Sequence, residues 1–149
     1  MKVYFDNAAT TPLDPEVFET MKPLMLDVYG NPSSTHAHGR EARTKLEHAR
    51  RTVADLLNTS PSEIFFTSGG TEADNTAITC CVDAYDLKHI ITSEIEHKAV
   101  LETSRKLEAE GKVKISYVEL DSEGHVNMDH LSSLLKNNSR SMISIMHAN

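Results

Sequence analysis

The chain has 149 residues, about the length of one domain, and carries 15 Lys plus Arg against 22 Asp plus Glu for a formal charge of −7. That acidity, with four Phe, four Tyr and no Trp, excludes the basic footprint of a nucleic-acid binder. No apolar run approaches the ~20 residues that span a bilayer, Met1-Lys2-Val3-Tyr4-Phe5-Asp6 turns polar too early for a signal peptide, and the adjacent Cys80 and Cys81 cannot staple distant segments, so the expected compartment is a reducing cytoplasm.

In chain order, Asp14-Pro15-Glu16 predicts a helix start, with Asp14 as cap and Pro15 in the first turn. Val17, Met21, Leu24 and Met25 continue it at helical spacing. Tyr29 to Thr35 is dense in turn residues and reads as a loop. A second helix is expected from Arg40 to Leu57, with Ala42, Leu46, Ala49, Val53, Leu56 and Leu57 on one face. Ser60-Pro61-Ser62-Glu63 has the pattern of a capping box. Ile64 to Ser68 is a short apolar run, expected as a buried strand. Helix is then expected over 71–84, strand over 89–93, helix over 97–110 and strand over 114–120. A helix over 128–135, capped by Asn127, and a strand over 141–146 follow.

Strands alternating with helices predict an α/β fold, a largely parallel sheet with helices on both faces. The last apolar strand stops just before Asn149, where such a fold normally continues into a loop and helix. The sequence therefore reads as a piece of a longer polypeptide, against the alternative of a small complete domain ending in an edge strand.

The most informative local feature is Thr67-Ser68-Gly69-Gly70-Thr71-Glu72, a Gly-Gly turn that opens a helix. Glycines let backbone approach a ligand closely. The first N–H groups of a helix are unpaired and carry partial positive charge, which suits a phosphate. Thr71 adds a hydroxyl. The turn is neither a Walker A loop nor a G-x-G-x-x-G fingerprint, and a plain tight connection accounts for the two glycines equally well.

Five strings read together carry more. Tyr4-Phe5-Asp6-Asn7-Ala8-Ala9-Thr10-Thr11-Pro12, Tyr29-Gly30-Asn31-Pro32-Ser33-Ser34-Thr35-His36, Ile64 to Asn75, Glu96-His97-Lys98-Ala99-Val100 and Ser144-Ile145-Met146-His147-Ala148-Asn149 follow one another along the chain. In this order they resemble the N-terminal part of a cysteine desulfurase of the NifS type. That family belongs to the class V aminotransferases, pyridoxal-phosphate enzymes of fold type I. The resemblance implies residues 1–40 as an N-terminal helix and substrate-mouth loop, and 41–149 as the first part of the large domain that binds pyridoxal 5′-phosphate. It implies L-cysteine as substrate, L-alanine and an enzyme-bound persulfide as products, a homodimer, and a sulfur-acceptor protein in iron–sulfur cluster or thiolation pathways.

By the same resemblance, Gly70 and Thr71 match the pair that binds the cofactor phosphate. His97 matches the histidine that stacks on the pyridine ring and assists proton transfer. Ala9, Thr10 and the loop from Asn31 to His36 match segments near the substrate mouth. Asn149 matches the first Asn of the family's Asn-Asn-Glu. The second Asn, the aspartate facing the ring nitrogen, the lysine that carries the cofactor and the nucleophilic cysteine lie further on in the family. The expectation is that these 149 residues alone are inactive.

Other residues read plainly. Cys80 and Cys81 are expected as a buried, inert pair. His36 and His38 lack Cys, Asp or Glu at compact ligand spacing, so no metal site is expected. Without the resemblance His97 would be a surface histidine in a first helical turn. Lys98 does not match the cofactor lysine, and His147 reads as structural or as facing the site. Arg40, Arg43, Arg50 and Arg51 read as a solvated face or a dimer contact. Two alternatives stand beside the desulfurase: another class V enzyme such as a selenocysteine lyase, and a non-catalytic phosphate-binding half-domain.

Overall fold

The structure, a computed structural model, describes residues 1–138 and 140–147, and the chain divides into two compact units, 1–66 and 67–149. Asn149, which the resemblance matches to a family asparagine, lies outside the described residues.

In the first unit, α1 runs Pro15–Asp27 behind the expected cap. Asp14 Oδ1 accepts from Glu16 N at 2.8 Å and from Val17 N at 3.4 Å. Helix α2 runs Ala37–Leu57 and starts three residues earlier than its apolar periodicity suggests. His36 explains the difference: its Nδ1 accepts from Gly39 N at 3.3 Å and caps the helix there. Of the expected apolar face, Ala42 is buried, whereas Leu56 and Leu57 are exposed. The helix ends at Asn58, which takes the left-handed conformation at φ 52°. Pro61–Glu63 forms the expected single turn, with Ser60 N donating to Glu63 Oε2 at 2.9 Å.

The loop before α2 is tightly fitted. A Cβ on Gly39 would lie 2.5 Å from Ser34 O and 2.7 Å from Asn31 O. Two of the arginines, both exposed as the solvated-face reading expects, also clip this loop. Arg43 Nε donates to Pro32 O at 2.7 Å and Arg40 donates to Thr35 O. Arg50 donates to Ile64 O, and its guanidinium sits 5.0 Å from the centre of the Phe66 ring.

The second unit contains α3 (Gly70–Tyr85), β1 (His89–Thr92), α4 (Lys98–Ala109), β2 (Lys114–Tyr117), α5 (Met128–Asn137) and β3 (Ser141–Ile143). The three strands are parallel in the order β2-β1-β3, with Ile90 opposite both Ile115 and Met142. Successive side chains of a strand point to opposite faces, and each face of β1 has its own core. Ile90 packs with Ile78 and Val82 of α3, Val100 and Leu107 of α4, and Val113. Ile91 packs with Val118 and Leu131 of α5. The helices therefore cover both faces of a parallel sheet, as expected. His89 ties the three strands together: its ring nitrogens lie 2.8 Å from Ser116 Oγ and 3.0 Å from Ser141 Oγ.

One expected strand is not found. Ile64 to Ser68 pairs with no other strand among the described residues. Apolar composition alone does not make a strand, since a strand exists through its ladder.

Candidate functional site

Each helix of the second unit that precedes or follows a parallel strand runs opposite to it, so α3, α4 and α5 begin at the carboxyl edge of the sheet. In open α/β sheets ligands collect at this edge.

The start of α3 differs from the others. Asp14, His36, His97 and Asn127 cap α1, α2, α4 and α5 with a side-chain acceptor, whereas α3 has Gly69 at this position and no side-chain cap. The first N–H groups of α3 are thus left for another acceptor. A Cβ on Gly69 or Gly70 would meet nothing within 4 Å, so the space over this turn is open. Glu72 does not fill it but folds back onto Ser68, accepting from its N–H and its hydroxyl, each at 2.7 Å. These bonds, the hydroxyl first and the N–H second, hold the Glu72 carboxyl below the usual carboxylate range. Thr67 Oγ1 donates to Gly69 O at 3.1 Å and steadies the turn.

His97 stands at the same edge, as cap of α4. Its Nδ1 accepts from Ala99 N at 3.1 Å, which leaves Nε2 as the nitrogen that carries the proton in the neutral ring. The ring is exposed. Beneath the edge, Thr92 Oγ1 is buried without a hydrogen-bond partner among the described residues. It ends β1 on the Ile90 face, the side that α3 and α4 cover.

The structure therefore brings Gly70, Thr71 and His97 to one edge of one unit. Ala9, Thr10 and the Asn31–His36 loop belong to the other unit. There Ala9 N and Thr10 N donate to Asp6 O at 3.1 and 3.3 Å, and Asn31 Oδ1 accepts from Ser33 N at 2.9 Å. His147 and Lys98 are exposed. Cys80 and Cys81 depart from the expected buried pair: Cys80 is exposed and Cys81 half-buried. The buried stripe of α3 is Ile78 and Val82, and Cys80 lies roughly 200° around the helix from Ile78. Among the described residues no group of three or more His, Cys, Asp or Glu could hold a metal ion, and no helix is long and apolar enough to cross a membrane.

Three residues at this edge escaped the sequence reading. Asn75 of α3, with its amide turned so that the nitrogen faces the carbonyl, donates to Ala99 O of α4 at 3.0 Å. Glu96, only 8% exposed, accepts from Met146 N at 2.5 Å and from Ser93 Oγ at 3.3 Å. Thr92 is the third. The one sequence signal available was proximity: Glu96 adjoins His97, and Asn75 ends the string that opens at the glycine turn.

Comparison with known proteins places the chain in a family and matches its fold. The family model described as Aminotransferase class-V matches residues 3–149. The Dictyoglomus turgidum protein named Cysteine desulfurase IscS is 49% identical over 150 residues, a match covering 99% of this chain and 38% of that protein. A Cysteine desulfurase of a Nostoc species is 43% identical over 148 residues, covering 99% of this chain and 36% of that protein. The chain thus spans well under half the length of these curated relatives. Among solved structures, one titled NIFS-LIKE PROTEIN superposes with a TM-score of 0.90 at 45% identity, covering 100% of this chain and 41% of that one. Another, titled SspA in complex with cysteine, superposes at 0.86 with 36% identity, covering 98% of this chain and 42% of that one.

Proposed function

The chain belongs to the class V aminotransferase family, and from that premise we propose that it supplies the cofactor-phosphate half of a pyridoxal-phosphate-dependent cysteine desulfurase. The observation that carries the reading is the uncapped start of α3, with open space over Gly69 and Gly70, at the same sheet edge as His97. The residues present fit the cofactor. The free N–H groups at Gly70 and Thr71, with the Thr71 hydroxyl, suit its phosphate, and the dipole of α3 favours the negative charge. The exposed His97 ring suits stacking on a flat heteroaromatic ring. The buried Thr92 hydroxyl offers a polar group at the same edge.

When bound, the cofactor supplies an electron sink for carbanion chemistry at the substrate amino acid. The chain's own residues bind and orient. Gly70 and Thr71 fix the phosphate end. His97, its Nδ1 engaged by the Ala99 N–H, is left with Nε2 to hold or move a proton. In this reading residues 1–40 shape the substrate mouth, and 41–149 form the first part of the large cofactor-binding domain. The substrate is L-cysteine, and the complete protein releases L-alanine while its sulfur passes to an enzyme cysteine as persulfide. That cysteine is neither Cys80 nor Cys81, and it and the cofactor lysine stand outside these 149 residues. The complete protein works as a cytoplasmic homodimer and hands sulfur to an acceptor protein.

The test uses pyridoxamine 5′-phosphate, which cannot condense with surface lysines. Calorimetry with this chain should show saturable binding, competed by inorganic phosphate and weakened about tenfold in Thr71→Val, the loss of one hydrogen bond to a charged group. The chain alone should release no alanine from L-cysteine. Absence of saturable binding, or binding indifferent to phosphate and to Thr71→Val, would overturn the reading.

A further inference from the structure

The first turns of α3 and α4 start at the same edge of the sheet, yet β1 separates the two helices in the chain. Their spacing there depends on side chains that cross between them. Asn75 is such a side chain, one turn into α3. Two carbonyl oxygens, Ala99 O at 3.0 Å and Thr71 O at 3.3 Å, face the same end of its amide, which assigns that end as the donating nitrogen; the same end also meets Thr103 Oγ1. Thr71 belongs to the glycine turn. Ala99 is the residue whose N–H the His97 ring accepts. One planar amide thus holds a backbone oxygen from each of the two turns, on a side chain with only two rotatable bonds.

We propose that Asn75 is a positioning residue that sets the separation between the anion-binding turn at Gly70–Thr71 and the His97 ring. The inference rests on the cofactor reading. It also makes a distinction that a merely stabilising role would not. A ligand carrying a phosphate and an aromatic ring on one short arm must engage both turns at once. Its affinity is sensitive to their separation, because a small misplacement of either end costs one of the two contacts. Inorganic phosphate engages the α3 turn alone and is indifferent to where α4 begins.

The experiment measures two affinities by calorimetry, for pyridoxamine 5′-phosphate and for inorganic phosphate, in the wild-type chain, Asn75→Ala and Asn75→Asp. Asn75→Asp keeps the shape but loses both amide donors and places a carboxylate against two carbonyl oxygens. The expected result is a loss of about tenfold or more for pyridoxamine phosphate in both variants. Phosphate affinity should stay within about twofold in Asn75→Ala. Parallel loss of both ligands in Asn75→Ala, or unchanged pyridoxamine phosphate affinity, overturns the proposal. If Asn75→Ala is unfolded by circular dichroism, Thr103→Val, which removes a lateral contact of the amide, must show the same split between ligands, and an equal effect on both overturns it. A wild-type chain that binds phosphate but not pyridoxamine phosphate overturns the cofactor reading itself, a different outcome from a wild type that binds both and variants that lose both.

Discussion

Glu96 provides the sharpest test of how the carboxyl edge of the sheet is held. Its carboxylate is nearly inaccessible, at 8% exposure, and accepts the Met146 N–H at 2.5 Å from the chain leaving β3. A hydrogen bond from backbone to an ionised acceptor contributes about 1.5–3 kcal/mol, and the longer 3.3 Å contact from Ser93 adds about 0.5 kcal/mol. Against this stands the cost of keeping a carboxylate out of water, which Glu96→Ala recovers. The Met146 N–H is only half-buried, so water reaches it in part once the carboxylate is gone. The balance is a loss of about 2 kcal/mol in Glu96→Ala and about 1 kcal/mol in Glu96→Gln, which keeps an acceptor oxygen but not its charge. Urea denaturation followed by circular dichroism reads these losses as midpoint shifts of about 1 M and about 0.5 M, at a slope of about 2 kcal/mol per M. If Glu96→Ala proves as stable as the wild type, the carboxylate is a net cost and the clamp on Met146 contributes nothing. If Glu96→Gln falls as far as Glu96→Ala, charge alone matters, and the position of the acceptor oxygen opposite Met146 N contributes nothing to the clamp.

Burial first, and then the Lys114 ammonium, push the His89 imidazole below its ordinary value. As pH falls the unfolded chain takes up this proton before the folded chain does, so stability is full above about pH 6.5 and declines below it. The urea midpoint should therefore drop between pH 7.5 and 5.5, by less in His89→Gln, and an identical pH slope in the two proteins would refute the assignment. Gly39→Ala and Gly70→Ala should separate stability from binding. The first places a Cβ 2.5 Å from Ser34 O and should lower the thermal midpoint clearly, whereas the second meets nothing within 4 Å and should leave it nearly unchanged. Ile90, at 0% exposure, should lose about 3–4 kcal/mol as Ile90→Ala, while Leu56→Ala, at 81% exposure, should stay within about 0.5 kcal/mol in the same urea titration.

The features legible in the sequence were those settled within a few residues. Asp14, Asn127 and the Ser60–Glu63 pair cap their elements because a cap needs only a neighbouring side chain. The glycine turn before α3 was legible for the same reason. Where a distant partner decides, local pattern failed. Ile64 to Ser68 has strand composition but no ladder among the described residues. The bonds made by Asn75, Glu96 and His89 span 28, 50 and 52 residues, and no spacing rule points across such gaps. The cysteine pair failed differently. Its composition suggested burial, but which face of α3 is covered depends on where β1 and α4 lie.

The two bonds that span 50 and 52 residues fasten the same strand at its opposite ends. Ser141 meets His89 where β3 begins, and Met146 meets Glu96 just beyond its end. On a ribosome, β1, α4 and β2 emerge well before β3. During that interval the central strand can pair along only one edge, and the backbone groups of Ile90 and Ile91 that β3 will take stay open to any passing strand. Pairing of β3 closes that second edge and makes both fastenings, so β3 is the latch of this sheet. A nascent chain that has released β2 but not yet β3 presents a parallel edge with neither fastening made, a state open to mispairing and to chaperone capture.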